Sequence, residues 1–279
     1  MAQDIKQEER LDYLLEKFKE DSGRYRDLEV EDTYPAKRMA LRSLMNIRMP
    51  GMMADDVVKI QDEFLLEEAK EKGIVTLEEI PTVKEMYGCS HPFAEQLSLW
   101  QGDITRLGVG AIVNAANSQM LGCFVPCHRC IDNAIHSAAG IELREACSHY
   151  MKRRKMQYGA GYEEPVGRAV LTEGYNLPAD YVIHTVGPVV GGWLTPRHRE
   201  ELRSCYENVL KCCVEHEIRS VAFCCISTGE FHFPNDEAAK IAVNTVTEYL
   251  EQHGGSFDRV IFNVFKDIDR ELYEEELKT

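Results

Sequence analysis

The densest chemistry in the sequence lies between residues 123 and 136. The loop GCFVPCHRC places Cys123, Cys127, His128 and Cys130 within eight residues. Thiolate and imidazole donors at such short spacings suit zinc. Three donors from one loop would leave a fourth coordination position open, as in a catalytic rather than a structural zinc site. A closed four-ligand site that uses Cys127 as well is a second reading. A third has the thiols simply buried and His128 on the surface. Asp132, Asn133 and His136 follow at once. Asp132 is either a helix N-cap or a carboxylate beside the metal, able to act as a base or an orienting group. His136, one turn on, reads as a packed helix histidine.

Three other polar stretches follow apolar runs. Asp103, in WQGDIT, can accept a hydrogen bond from an adenine amino group or a ribose hydroxyl, or can cap the segment after it. Asn114 and Asn117, in NAAN, carry amides that suit ribose hydroxyls, or else form a turn. In ISTGEFHFPN, residues Ser227, Thr228, Gly229, Glu230 and Phe231 make a turn whose successive N–H groups can cradle a diphosphate. Phe231 either stacks on a ligand ring or joins the core. Gly187-Pro188 and Gly191-Gly192-Trp193 mark a further loop.

These residues need elements to hold them. From Leu97 onward, apolar strands alternate with helices: LSLWQGD, GAIVNAA, GRAVLTEGY, DYVIHTV, SVAFCCIS and RVIFNVF as strands, and residues 131–150, 198–217, 234–252 and 269–277 as helices. Alternation of this kind predicts a three-layer α/β/α sandwich, with ligands outside the carboxyl ends of the strands. Residues 1–90 read differently. Leu11, Leu14, Leu15 and Phe18 recur at helical spacing, Pro35 opens a second helix carrying Met39, Leu41, Leu44 and Met45, and a third runs from Asp55 to Gly73. Glu67, Glu68 and Lys70 to Lys72 read as a solvated charged face. We therefore expect a helical N-terminal region over 1–90, packed on an α/β domain over 91–279.

Of the 279 residues, 44% are hydrophobic and 28% charged, enough to bury a core. The formal net charge of -15 argues against nucleic acid as a partner. The longest basic cluster, Lys152 to Lys155, is too small to reverse that reading. No apolar run is long enough to cross a membrane, and the opening MAQDIKQEERLDYLLEKF lacks a signal-peptide core, so a cytoplasmic location is expected. In a reducing compartment the ten cysteines favour metal binding or burial over disulfides. Cys89, Cys147, Cys205, Cys212, Cys213, Cys224 and Cys225 sit in or near apolar elements and read as small core residues.

Taken together, QGDIT, AIVNAAN, DNAIHSAAG, YVIHTVGP and ISTG-x-F-x-FP resemble the macrodomain, an ADP-ribose-binding module, over residues 91–265. The glycine run usual after NAAN is replaced here by GCFVPCHRCIDN, which resembles the zinc-containing branch of protein ADP-ribosylhydrolases of bacteria and fungi. The resemblance implies a mixed central sheet and one zinc held by Cys123, His128 and Cys130, with Cys127 outside the set. It implies adenine-side contacts from Asp103 and Ile104, a ribose contact from Asn117 and a diphosphate turn over Ser227 to Phe231. Asp132 matches the acidic residue near the scissile ribose. Glu230 and His232 depart from the family's pattern, which has an apolar residue and a glycine there. The activity implied is release of mono-ADP-ribose from a modified, acidic side chain. In some bacteria the branch acts beside a sirtuin that modifies a lipoyl-carrier protein of the glycine-cleavage type, so such a carrier is an expected partner. A non-catalytic ADP-ribose reader, an O-acyl-ADP-ribose deacylase and a zinc-stabilised nucleic-acid-binding domain are the rival readings.

Overall fold

The structure, a computed structural model, describes residues 6–278; the first five residues of the amphipathic opening segment lie outside them. Three helices come first: α1 (Gln7–Ser22), α2 (Tyr34–Ile47) and α3 (Asp55–Lys72). Thr33 caps α2 by accepting from the Ala36 N–H, and proline occupies the first turn, where its missing N–H costs nothing. Leu11, Leu14, Phe18, Leu41, Leu44 and Phe64 bury one apolar core between the three helices. Met39, on the same helix as Leu41 and Leu44, is 62% exposed. Glu68 also departs from expectation: it is not a solvated charge but receives a two-point ion pair from Arg38 at 2.5 and 2.8 Å, between α2 and α3.

A short strand β1 (Val75–Thr76) and helix α4 (Val83–Tyr87) lead into the α/β unit. Ile80 and Val83, in the stretch that joins the helical region to the α/β unit, are buried in the core of that unit. The chain then runs through β2 (Leu97–Gln101), β3 (Leu107–Gly108), β4 (Ala111–Ala116), α5 (Ile131–Ala139), α6 (Ile141–Tyr158), β5 (Ala169–Glu173) and β6 (Tyr181–Val186). It closes with α7 (Pro196–Glu215), β7 (Ser220–Phe223), α8 (Asn235–His253), β8 (Arg259–Val264) and α9 (Asp267–Lys278). β1 pairs with β3, and the main sheet has the order β2-β8-β7-β4-β6-β5. All its pairs are parallel except β5 with β6, so the sheet is mixed, as expected. Helices α5 and α6 pack together and α7, α8 and α9 pack in succession, giving two helical layers over the strands.

The single helix expected over 131–150 is two helices. Gly140 breaks it with φ +97°, a region that favours glycine. A β-carbon there would also meet Gln61 Nε2 at 2.8 Å and Asn176 Nδ2 at 3.0 Å. Because β2, β4, β6, β7 and β8 run parallel, their carboxyl ends share one edge of the sheet. The stretches after Gln101, Ala116, Val186 and Phe223 therefore emerge side by side. The expected ligand edge thus exists as one surface. From β2 to β4 it spans about 14 Å, three strand spacings of about 4.8 Å.

Candidate active site and metal centre

The buried strand β4 ends in the NAAN turn, and both asparagines aim at one carboxylate. Asn114 Nδ2 donates to Asp132 Oδ1 at 2.8 Å, and Asn117 Nδ2 donates to Asp132 Oδ2 at 3.3 Å. Asn117 Nδ2 also reaches the Gly122 carbonyl at 3.3 Å, and its Oδ1 accepts from the Gln119 N–H at 3.0 Å. Asp132 is 5% exposed. Burial pushes its carboxyl up to about 6, opposed by the bonds from Asn114 and Asn117 and by Arg144. It does not cap its helix. Cys130 holds the N-cap position of α5, its sulfur accepting from the Asn133 N–H at 3.4 Å. Asp132 sits inside the first turn, where the positive end of the helix favours a carboxylate.

Two buried histidines lie beneath this carboxylate. His184, on β6 opposite Asn114, accepts from Asn114 Nδ2 at Nδ1 (3.0 Å) and donates from Nε2 to Thr172 Oγ1 (3.0 Å), which fixes its neutral tautomer. Burial brings its pKa down to about 4. His136 is packed, as expected, with its Nε2 3.5 Å from Asp132 Oδ1. Its ring also supports the loop: a β-carbon on Gly122 (φ +77°) would lie 2.8 Å from His136 Cγ.

Beyond Gly122, the loop brings the donor atoms of Cys123, His128 and Cys130 within 4.8 Å of one another. Cys127 is not among them. At φ +50° its backbone turns the thiol toward α2, where Sγ lies 3.2 Å from Ser43 Oγ. The closed four-ligand arrangement is therefore not the one the loop adopts. The buried Nδ1 of His128 has no hydrogen-bond partner, and burial with the adjacent Cys123 thiol pushes Cys130 up to about 12. Two thiols and an imidazole converging with an orphaned nitrogen fit a soft divalent cation, whose charge would favour the thiolates.

Helix α2 grips this loop. Arg42 Nη2 donates to Asn133 Oδ1 at 2.7 Å, Asn46 Oδ1 accepts from the Cys127 N–H at 2.9 Å, and Asn46 Nδ2 donates to Ser137 Oγ at 2.9 Å. Arg144 of α6, only 5% exposed, joins both sides. It donates to the carbonyls of Met45 (3.0 Å), Asn46 (2.8 Å) and Arg48 (2.6 Å) at the end of α2, and to Leu121 (2.7 Å) and Cys123 (3.4 Å) in the loop. Sequence reasoning passed over Arg42, Asn46 and Arg144. A signal existed for the last, which lies beside the buried stripe Leu143, Cys147, Met151.

After the neighbouring strand β7, Ser227 to Phe231 form a tight turn with Ser227 at φ +66°, closed by the Phe233 N–H on the Ser227 carbonyl at 2.9 Å. Gly187, after β6, permits its approach: a β-carbon there would lie 2.0 Å from Ser227 Oγ. That hydroxyl is buried with no partner. Gly229 and Glu230 are exposed and Phe231 is half-buried, with its carbonyl accepting from the Val190 N–H at 2.8 Å. Glu230 Oε1 lies 3.7 Å from His128 Nε2, so the turn and the metal loop meet. At the far end, Asp103 caps the 3-10 turn after it, accepting from the Thr105 N–H (3.0 Å) and Oγ1 (2.7 Å). The Ile104 side chain is buried in the core, so a ligand contact by residue 104 would come from its backbone.

An α/β sheet with this turn pattern at its carboxyl edge has known counterparts. The Macro domain family model matches residues 113–242. A Treponema medium protein named protein-ADP-ribose hydrolase is 41% identical over 267 residues, covering 96% of this chain and 97% of the relative. A Staphylococcus aureus strain Mu50 protein of the same name is 38% identical over 269 residues, covering 96% and 95%. Among solved structures, the Trypanosoma brucei macrodomain in complex with ADP-ribose is similar with a TM-score of 0.63 at 29% identity, covering 84% of this chain and 94% of that one. The chain belongs to the macro domain family. Among the described residues no helix is long and apolar enough to cross a membrane.

Proposed function

We propose that this protein is a zinc-dependent hydrolase that releases single ADP-ribose units from modified side chains of a target protein. The observation that carries the reading is one carboxylate. Asp132, bonded by both asparagines of the NAAN turn, stands two residues from Cys130 of the thiol-imidazole trio. A proton carrier and a metal position would then share one end of the ligand edge. The similarity to the two bacterial hydrolases over nearly their whole length supports the hydrolase part of this reading.

The adenosine end would lie toward Asp103, and the Ser227 to Phe231 turn would hold the diphosphate on its N–H groups, with the buried Ser227 hydroxyl as a further partner. Asn117 would orient the distal ribose, its amide held by Asp132 and the Gly122 carbonyl. Cys123, His128 and Cys130 would hold zinc, which when bound supplies a Lewis acid and lowers the pKa of a bound water. Asp132, shielded from solvent, would move a proton at the scissile bond. An acyl ester to an aspartate or glutamate is the bond we assign. By its resemblance to the zinc-containing branch, the lipoyl carrier modified by a sirtuin-type transferase is the protein substrate we infer.

The test is ADP-ribose release from an aspartate- or glutamate-modified protein, with metal assayed on the same sample and a modified lipoyl carrier run beside it. Release that tracks about one zinc per chain and is lost in a folded His128→Ala protein supports the hydrolase. Tight ADP-ribose binding without release would move the assignment to a reader.

A further inference from the structure

The metal trio leaves one feature unaccounted for. His128 presents two different faces. Its Nδ1 is buried with no hydrogen-bond partner, while its Nε2 lies 3.7 Å from the Glu230 carboxylate of the turn after β7. Its backbone is tethered independently: the N–H donates to the Val125 carbonyl at 3.2 Å, and the carbonyl accepts from Arg42 Nη2 at 3.5 Å. One assignment uses both ring nitrogens. The buried Nδ1 would serve as the metal donor beside Cys123 and Cys130, and Nε2 would keep its hydrogen on the side of Glu230, 3.7 Å away. Metal-bound imidazoles commonly donate their second N–H to a carboxylate, which fixes the tautomer and raises the basicity of the bound nitrogen.

We propose that Glu230 is a positioning residue for the metal centre, holding His128 with Nδ1 turned toward the ion. Its location gives the pair a second consequence. Glu230 belongs to the turn that the proposed function assigns to the diphosphate, whereas His128 belongs to the loop that holds the metal. A ligand that orders the turn also orders the carboxylate beside His128 Nε2. Metal and ADP-ribose affinities are then linked through this contact, and linkage of binding free energies is reciprocal.

The inference rests on the zinc site proposed above, and the experiment separates the two. Zinc affinity is measured by chelator competition on the whole protein, with and without ADP-ribose, for the unaltered chain, Glu230→Gln and Glu230→Ala. Glu251→Gln, an exposed carboxylate near the far end of α8, controls for net charge. Glu230 is exposed, so the effect belongs at the low end for a carboxylate behind a metal ligand: about tenfold weaker zinc binding in Glu230→Ala. Glu230→Gln falls between, Glu251→Gln is unchanged, and the tightening of zinc by ADP-ribose disappears in Glu230→Ala. Replacing zinc by cobalt(II) adds a visible spectrum that shifts in the Glu230 variants alone. Zinc affinity in Glu230→Ala equal to that of the unaltered chain, or an unaltered chain that binds no zinc, overturns the proposal. A tenfold zinc effect in a chain that binds no ADP-ribose upholds the role of Glu230 and removes the hydrolase reading.

Discussion

Replacing Arg144 by methionine should loosen the joint between the helical region and the metal loop. Methionine keeps an unbranched apolar stem in the same space, so the change removes hydrogen bonds more than packing. Five carbonyls lose a charged donor: Met45, Asn46 and Arg48 at the end of α2, and Leu121 and Cys123 in the loop. The guanidinium also lies 4.3 Å from the Phe124 ring centroid. A hydrogen bond to a charged group contributes about 1.5–3 kcal/mol, and removing the buried charge returns part of that as recovered desolvation. That desolvation is real, because burial brings the Arg144 pKa down to about 10. Left behind are carbonyls without their donor, at about 1–3 kcal/mol for each that stays buried, so the net cost is on the order of 3–5 kcal/mol. Urea unfolding at neutral pH measures it directly as a lower midpoint at unchanged slope. Arg144→Lys should recover less than half, since an ammonium has three donors and no planar fork. Zinc content should fall in Arg144→Met, because the Cys123 carbonyl is released with the others. A methionine variant within about 1 kcal/mol of the unaltered protein, with full zinc, would refute the idea that this side chain joins the two regions.

Other substitutions test other joints. Burial and the nearby Asp62 raise Glu142 to about 7, above its unfolded value of 4.5. Its proton therefore stabilises the fold below pH 4.5, and that contribution is lost as pH rises through about 7. Glu142→Gln should flatten this dependence and gain about 1 kcal/mol at pH 8, a figure discounted for its half exposure; identical thermal pH profiles would count against it. Burial pushes Glu68 up, but Arg38 and then Lys72 override it and hold the carboxyl at about 2. Its contribution is present above pH 4.5 and is lost as pH falls through about 2, so Glu68→Gln should cost about 2 kcal/mol at pH 7 in urea unfolding and nothing in strong acid. Gly187→Ala should push Ser227 outward and weaken ADP-ribose binding at least about tenfold by calorimetry, with zinc content unchanged. Unaltered affinity would remove the Ser227 turn from the site.

What the sequence disclosed and what it concealed divide along a physical line. Strand periodicity and the polar turns after the strands are local, and they located the carboxyl edge with Asp103, Asn117 and Ser227 on it. The trio Cys123, His128 and Cys130 was legible for the same reason: its donors lie close together in the chain, so spacing alone limits what they can reach. The residues that hold the site in shape come from far away. Arg144 meets carbonyls 96 to 99 positions earlier, and Asn46 meets Cys127 across 81. No local pattern encodes such pairs. An arginine in REACSHYMKRR looks like surface charge until its neighbours Leu143 and Cys147 turn out to be buried. The break at Gly140 escaped notice similarly, because a glycine inside a helical pattern is tolerated unless something, here Gln61 and Asn176, occupies the place of its β-carbon.

This distribution bears on the helical region. Had residues 6–72 served only as a separate recognition module, their contacts with the α/β unit would be exposed and few. Instead α2 places Arg42, Ser43 and Asn46 against the metal loop and the first turns of α5, and its terminal carbonyls accept from Arg144. The end of a helix leaves carbonyls that need donors, and here one buried guanidinium serves both that end and the loop. The helical region therefore forms part of the scaffold of the candidate metal loop. A change in the apolar core of α1 to α3, such as Phe64→Ala, should lower zinc affinity without touching a donor atom. Removing a fully buried phenylalanine costs about 3–5 kcal/mol, and some of that cost should be felt where α2 holds Cys127 and Asn133. Zinc binding undiminished in a folded Phe64→Ala protein would show instead that the loop keeps its shape without the helices.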